Sequence, residues 1–163
     1  MNYISTRNNQ KNFTFRDVFL KGLADDGGLF VPQSIKKFKK EELDNLKNLS
    51  YNDLAVEIIY PFIGDFMSKD NLISMISKSY TNFRSKDVVK ISDLGNLKVL
   101  ELFHGPTLAF KDFAMQLIGQ LFQFSLERRQ SRVTIIGATS GDTGSAAIEL
   151  SLIHISEPTR PTP

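Results

Sequence analysis

Lys111 is the first residue whose surroundings could give it chemistry. It lies between Phe110 and Phe113, in a stretch with few polar side chains, at the start of a predicted helix. Most lysines are solvated surface charges, but the positive end of a helix dipole disfavours a cation by roughly 0.3–1 kcal/mol, and desolvation acts in the same direction. Both effects favour the neutral amine, which is a nucleophile. The neighbouring carboxylate of Asp112 would favour the charged form, and the sequence leaves open which way that side chain points.

The second candidate is a glycine-rich turn over residues 137–144, between a predicted strand and a predicted helix. Free backbone N–H groups at a helix start can converge on an anion. Three hydroxyl side chains add donors there, namely those of Thr139, Ser140 and Thr143. An ordinary strand–helix loop with Asp142 or Thr143 as N-cap explains the pattern equally well. The turn lacks the Lys-Ser/Thr pair of a P-loop, and its glycine spacing differs from the dinucleotide fingerprint G-x-G-x-x-G.

A third set of polar residues lies near the N-terminus, in the segments Ser5-Thr6-Arg7 and Asp25-Asp26-Gly27-Gly28. Acidic residues followed by glycines are typical of a turn that ends a helix. The pattern therefore favours a polar chain start and a structural turn over a ligand site.

Composition excludes several classes of function. Hydrophobic residues make up 41% of the chain and charged residues 23%, as in ordinary globular proteins. The net charge is +2 and neither half is strongly basic, so we expect no nucleic-acid partner and no anionic membrane surface. We expect no membrane span, because no apolar run approaches the ~18 residues required. The start lacks a secretory pattern, and the absence of cysteine favours a reducing cytoplasm. With two histidines and no cysteine, we expect no metal site.

Residues 1–82 predict a small, mostly helical N-terminal domain. Hydroxyl residues at Thr14, Ser50 and Ser68 predict helix starts, because each precedes an apolar pattern of helical period. A short apolar run at residues 29–31 predicts a strand.

The pattern changes near residue 83. Apolar and β-branched runs predict strands over residues 88–91, 97–103 and 132–137. Helical spacing predicts a helix from Phe110 to Arg129, and another from Ser145 after the glycine-rich turn. This alternation is typical of a parallel sheet. We therefore predict an α/β fold class in which residues 83–149 begin a parallel-sheet αβα domain.

The last residues, 150–163, do not fit this pattern. They contain Pro158, Pro161 and Pro163, where the new helix should continue. The segment also resembles the translation of a transposase adapter used in sequencing-library preparation. We expect the native sequence to stop near Glu149 and give His154 no functional weight.

Four segments, in this order, resemble threonine synthases of the longer bacterial and fungal type. They are Tyr3-Ile-Ser-Thr-Arg7, Gly22-Leu-Ala-Asp-Asp-Gly-Gly-Leu29, His104-Gly-Pro-Thr-Leu-Ala-Phe-Lys-Asp-Phe113 and Gly137-Ala-Thr-Ser-Gly-Asp-Thr-Gly144. Related pyridoxal-phosphate enzymes of the same fold share only the lysine and the glycine-rich turn, so the first two segments favour this family. The resemblance covers about residues 1–149.

The resemblance implies the conversion of O-phospho-L-homoserine and water to L-threonine and phosphate, with pyridoxal phosphate as cofactor. It makes Lys111 the lysine that holds the cofactor as a Schiff base and then transfers protons. It places Asp142 near the ring of the cofactor. It assigns the substrate carboxylate to the turn formed by Thr139, Ser140, Gly141 and Thr143.

Members of this family are longer, and nothing in the sequence matches their loop for the cofactor phosphate. We therefore expect the chain to be an N-terminal fragment that is inactive as given, with apolar surface exposed on the helix after Lys111. Two alternatives stay open: another pyridoxal-phosphate lyase of the same fold, and a non-catalytic threonine synthase-like binding protein. The glycine spacing disfavours a nucleotide-binding domain. We make no prediction of the oligomeric state from the sequence.

Overall fold

A computed structural model describes residues 1–64, 66–129, 134 and 136–154. It divides the chain into two compact units, Met1–Ile76 and Ser77–Pro163, called here the first and second units. Helices and small sheets occur in the same chain, which confirms the α/β class. The division after residue 82 and the non-native origin of residues 150–163 stay predictions.

The first unit combines one small sheet with short helices. Its strands are β1 (Tyr3–Ser5) and β2 (Phe30–Pro32), which pair antiparallel. Its helices are α1 (Phe15–Phe19), α2 (Lys40–Leu46) and α3 (Tyr51–Ile63), and α4 (Lys69–Ser79) begins in this unit. The helical character predicted for this region is confirmed, whereas β1 was not predicted.

The helix starts of the first unit follow their capping residues. Thr14 and Asp17 form a reciprocal capping box at α1. Ser50 accepts a hydrogen bond from a backbone N–H in the first turn of α3. The helix predicted after Thr14 is shorter than its apolar spacing suggests, because it ends at Phe19 and the chain then turns through Gly22, whose φ is +73°.

Apolar side chains fill the interior of the first unit. Leu72 and Ile76 are completely buried, which contributes roughly 1.5–3 kcal/mol for each side chain before conformational entropy is counted. The rings of Phe15 and Phe66 pack edge to face with centroids 5.2 Å apart. The hydroxyl of Tyr3 donates to a main-chain carbonyl oxygen of α3 at 2.8 Å, which attaches the small sheet to the helices.

The second unit carries the candidate lysine and the glycine-rich turn. Its elements are β3 (Lys90–Asp93), β4 (Lys98–Glu101), α5 (Asp112–Arg129) and α6 (Gly141–His154). The two strands form an antiparallel hairpin, and α5 packs against α6. Gly95 turns the hairpin with φ +77°. The predicted strand over 132–137, which a parallel sheet would require, lies largely outside the described residues.

The structure corrects two expectations for the second unit. Helix α6 begins at Gly141 and not at Ser145, so residues 141–144 of the glycine-rich turn form its first turn. The exposed apolar surface is not on α5, whose Leu117 and Leu121 are buried. It lies on the β3–β4 hairpin and the loop that follows, at Ile91, Leu94, Leu97, Leu100, Phe103 and Phe110. Helix α5 packs against α6, and the ring of Phe83 packs against that of Phe113 with centroids 5.0 Å apart.

Candidate active site

The structure brings the two main candidate regions together. Lys111 is half-buried and immediately precedes α5, and its amine donates a hydrogen bond to the hydroxyl of Thr143 in the first turn of α6. The same hydroxyl lies 3.4 Å from the Oγ of Ser140. The lysine Nζ is also 5.8 Å from the centroid of the Phe110 ring. A lysine amine and a helix N-terminus therefore meet at one place.

The start of α6 supplies the anion-binding part of this arrangement. The N–H of Gly144 donates to the carbonyl of Ser140 at 2.9 Å, so Ser140 is the residue just before the helix. The first N–H groups of a helix have no partner within it, and its dipole favours an anion. Among the residues that the structure describes, Thr139, Gly141 and Asp142 make no hydrogen bond to Lys111.

Asp112 points away from the neighbouring lysine. Its side chain is completely buried. One carboxylate oxygen accepts from the backbone N–H of Thr107 at 2.9 Å, and the other accepts from the Thr107 hydroxyl at 2.7 Å. The question that the sequence left open is thus answered: this carboxylate binds the loop that precedes Lys111.

Two residues restrict the backbone conformation of that loop. A Cβ atom at Gly105 would lie 2.7 Å from the Cγ of Asp112, so the backbone can approach the carboxylate only at a glycine. Leu108 has φ +62°, in the left-handed region that non-glycine residues adopt at a cost. Both features lie between the strand β4 and Lys111.

A second polar cluster fixes the beginning of the loop. His104 Nε2 lies 2.7 Å from Glu101 Oε2, and the Ser92 hydroxyl donates to the other oxygen of Glu101. These hydrogen bonds, first that of Ser92 and then that of His104, hold the pKa of Glu101 below its usual value. This cluster was not predicted from the sequence, although a Glu and a His three residues apart at the end of a strand were a usable signal.

The N-terminal candidate set forms a network within the first unit. Ser5 Oγ donates to Asp26 Oδ1 at 2.8 Å, and the Gly28 N–H donates to the same oxygen at 2.8 Å. Arg7 donates to the Asp26 carbonyl at 3.0 Å. The Gly28 N–H and then the Ser5 hydroxyl lower the pKa of Asp26. These polar groups bind one another, as the structural interpretation of the motif predicts.

No helix in the described residues has the length and the apolar composition that would cross a membrane. Within the same residues, no group of three or more His, Cys, Asp or Glu side chains is arranged to hold a metal ion.

Comparison with known proteins identifies the origin of these motifs. Residues 2–80 match the family model described as Threonine synthase N terminus. The chain is 48% identical to the threonine synthase of Pseudomonas aeruginosa over 150 residues, which covers 91% of the chain and 32% of that relative. It is 42% identical to threonine synthase-like 2 of Pongo abelii, which covers 90% of the chain and 31% of that relative.

The solved structures agree. The PLP-bound threonine synthase of Brucella melitensis superposes with a TM-score of 0.87 at 44% identity, over 92% of this chain and 32% of that one. The chain thus spans about a third of the length of the relatives it matches, and it matches their N-terminal part. Residues 2–80 of the chain thus belong to the threonine synthase N-terminal family.

Proposed function

We propose that this chain forms the N-terminal part of a pyridoxal-phosphate-dependent threonine synthase. The proposed reaction converts O-phospho-L-homoserine and water to L-threonine and phosphate. The observation that carries the proposal is the hydrogen bond from the Lys111 amine to the Thr143 hydroxyl at the start of α6. A nucleophilic amine beside a helix N-terminus suits an aldehyde cofactor next to a carboxylate substrate.

The residues present fit the attachment of pyridoxal phosphate. Lys111 would hold the cofactor covalently through its amine, since the side chain is half-buried and lies beside a hydroxyl donor. The bound cofactor supplies electron withdrawal, which makes protons on the substrate carbons removable. Lys111, when its amine is free, would accept and return those protons. Asp142 is proposed to contact the ring of the cofactor.

The substrate carboxylate is assigned to the start of α6. Backbone N–H groups there are free to donate to an anion, and the helix dipole adds a favourable charge. The proposed binding residues are Thr139, Ser140, Gly141 and Thr143. The substrate amine would thereby lie near Lys111, because the Thr143 hydroxyl assigned to the carboxylate also accepts a hydrogen bond from the Lys111 amine.

The cytoplasm is the proposed location, since a chain without cysteine suits a reducing compartment. The proposed partner is the small-molecule substrate, and no nucleic-acid or membrane partner is proposed.

The site is tested by trapping the cofactor. The full-length protein is incubated with pyridoxal phosphate, reduced with borohydride and digested, and the labelled peptide is identified by mass spectrometry. We expect the label on Lys111 and its loss from that position in Lys111→Arg, which keeps the positive charge. Attachment at a different lysine in the wild-type protein contradicts the assignment.

The reaction is tested by phosphate release from O-phospho-L-homoserine. We expect turnover by the full-length protein and none by its Lys111→Ala variant. We expect none from residues 1–163 alone, and turnover above the Lys111→Ala background by that polypeptide would contradict this expectation.

A non-catalytic threonine synthase-like protein is the second candidate, favoured by the similarity to threonine synthase-like 2. The two candidates differ in one measurement. Label on Lys111 without phosphate release in the full-length protein would favour the second candidate, whereas label together with release supports the first.

A further inference from the structure

Asp112 is completely buried, yet it lies next to Lys111 in sequence. Both of its carboxylate oxygens are used by Thr107, one by the backbone N–H and one by the hydroxyl. Hydrogen bonds to an ionised group are stronger than neutral ones, and a buried carboxylate is costly to leave without partners. This contact therefore resists any movement of the loop between residues 104 and 111.

We propose that Asp112 is a positioning residue that holds this loop so that the Lys111 amine is aimed at Thr143. The inference rests on the proposed function of Lys111. Successive residues at the start of a helix point about 100° apart around its axis. With Asp112 bound to Thr107 on the inner side, Lys111 is turned toward the start of α6.

Two further observations, at Gly105 and Leu108, concern the conformation of the loop on either side of Thr107. Gly105 leaves no room for a Cβ atom beside Asp112, so that carboxylate fits closely against the backbone. Leu108 holds a left-handed φ of +62°, which persists only where surrounding contacts impose it. The Thr107–Asp112 bonds span this residue.

Two variants of Asp112 distinguish the effect of its hydrogen bonds from the effect of its negative charge. In Asp112→Asn, the amide oxygen can still accept from the Thr107 N–H, and the amide N–H can donate to the hydroxyl. In Asp112→Ala both hydrogen bonds are lost. The alanine variant should release the loop, whereas the asparagine variant should retain its position without the negative charge.

The measured quantity is the selectivity of cofactor labelling in the full-length protein. After incubation with pyridoxal phosphate and borohydride reduction, the label on Lys111 is divided by the label on Lys37, an exposed lysine of the same polypeptide. We expect Asp112→Ala to lower this ratio roughly tenfold or more, and Asp112→Asn to keep it within about twofold of wild type. The ratio in Asp112→Ala tests the proposal only when the circular dichroism spectrum of this variant matches that of wild type, because an unfolded chain would also lose its selectivity for Lys111.

A wild-type ratio in Asp112→Ala, with an unchanged circular dichroism spectrum, would overturn the proposal. An equal loss in both variants would also overturn it, because the charge and not the hydrogen bonds would then matter. If Asp112→Ala does not fold, Thr107→Val and Thr107→Ser replace it. We expect the valine variant to lose selectivity and the serine variant to keep it, and equal ratios in these two variants would refute the positioning role. Absence of label on Lys111 in the wild-type protein would instead refute the proposed function itself.

Discussion

Gly105 lies against the buried side chain of Asp112, and we predict that Gly105→Ala destabilises the second unit. The added Cβ atom would lie 2.7 Å from the Asp112 Cγ, well inside normal contact distance. The conflict can be relieved in two ways. Either the backbone near residue 105 moves away, or the carboxylate leaves its place and loses its hydrogen bonds to Thr107.

The less costly of these two responses sets the size of the effect. Overpacking of a filled interior costs about 1–3 kcal/mol. Loss of the contacts with Thr107 costs more, because each hydrogen bond to a charged group contributes about 1.5–3 kcal/mol. Replacing glycine stiffens the unfolded chain and returns about 0.4–1 kcal/mol. The free energy of unfolding should therefore fall by about 1 kcal/mol, with the backbone shift as the main response.

Urea unfolding followed by circular dichroism and tyrosine fluorescence measures this change. With a slope of about 2 kcal/mol/M, the transition midpoint of the second unit should fall by about 0.5 M. Gly137→Ala is the matched control, since a Cβ atom there meets nothing within 4 Å. Its midpoint should be equal to or slightly above that of wild type. Equal midpoints for Gly105→Ala and Gly137→Ala would refute the close packing of Gly105 against Asp112.

Four further variants test the first unit. Leu72→Ala should lower the free energy of unfolding by about 2–5 kcal/mol, whereas Ile73→Ala, at a position 46% exposed, should lower it by less than about 1 kcal/mol in the same urea experiment. Tyr3→Phe removes a hydrogen bond to the main chain of α3 and should cost about 1 kcal/mol, and an unchanged midpoint would contradict that contact. The Gly28 N–H and then the Ser5 hydroxyl lower the pKa of Asp26 in the folded protein. The ionised carboxylate therefore stabilises the fold at pH values above the ordinary aspartate pKa. This stabilisation is lost as the pH falls through the lowered pKa. The difference in unfolding free energy between wild type and Asp26→Asn should thus be constant above about pH 5 and shrink as the pH is lowered further, and a pH-independent difference would contradict this assignment.

Several local features could be predicted because they depend on neighbours in sequence. Thr14 and Ser50 cap helices through residues three positions away, and their helix starts were predicted correctly. Strands on either side of Gly95 were also predicted, because short strands depend on local residue types. The strand β1 was missed, since it is only three residues long and pairs with a strand more than twenty residues away.

The sequence by itself determined the family, the fold class and the identity of the lysine and turn residues as candidates, because these depend on residue type and order. Only the tertiary structure decided which way Asp112 points, that α6 begins at Gly141, and that the Lys111 amine reaches Thr143. The physical reason is that a side chain adopts the rotamer that satisfies its buried polar atoms, and its partners are set by the folded chain. The apolar pattern of α5 in the sequence is the same whether its apolar face is buried or exposed. Only the packing in the folded chain showed that Leu117 and Leu121 are buried.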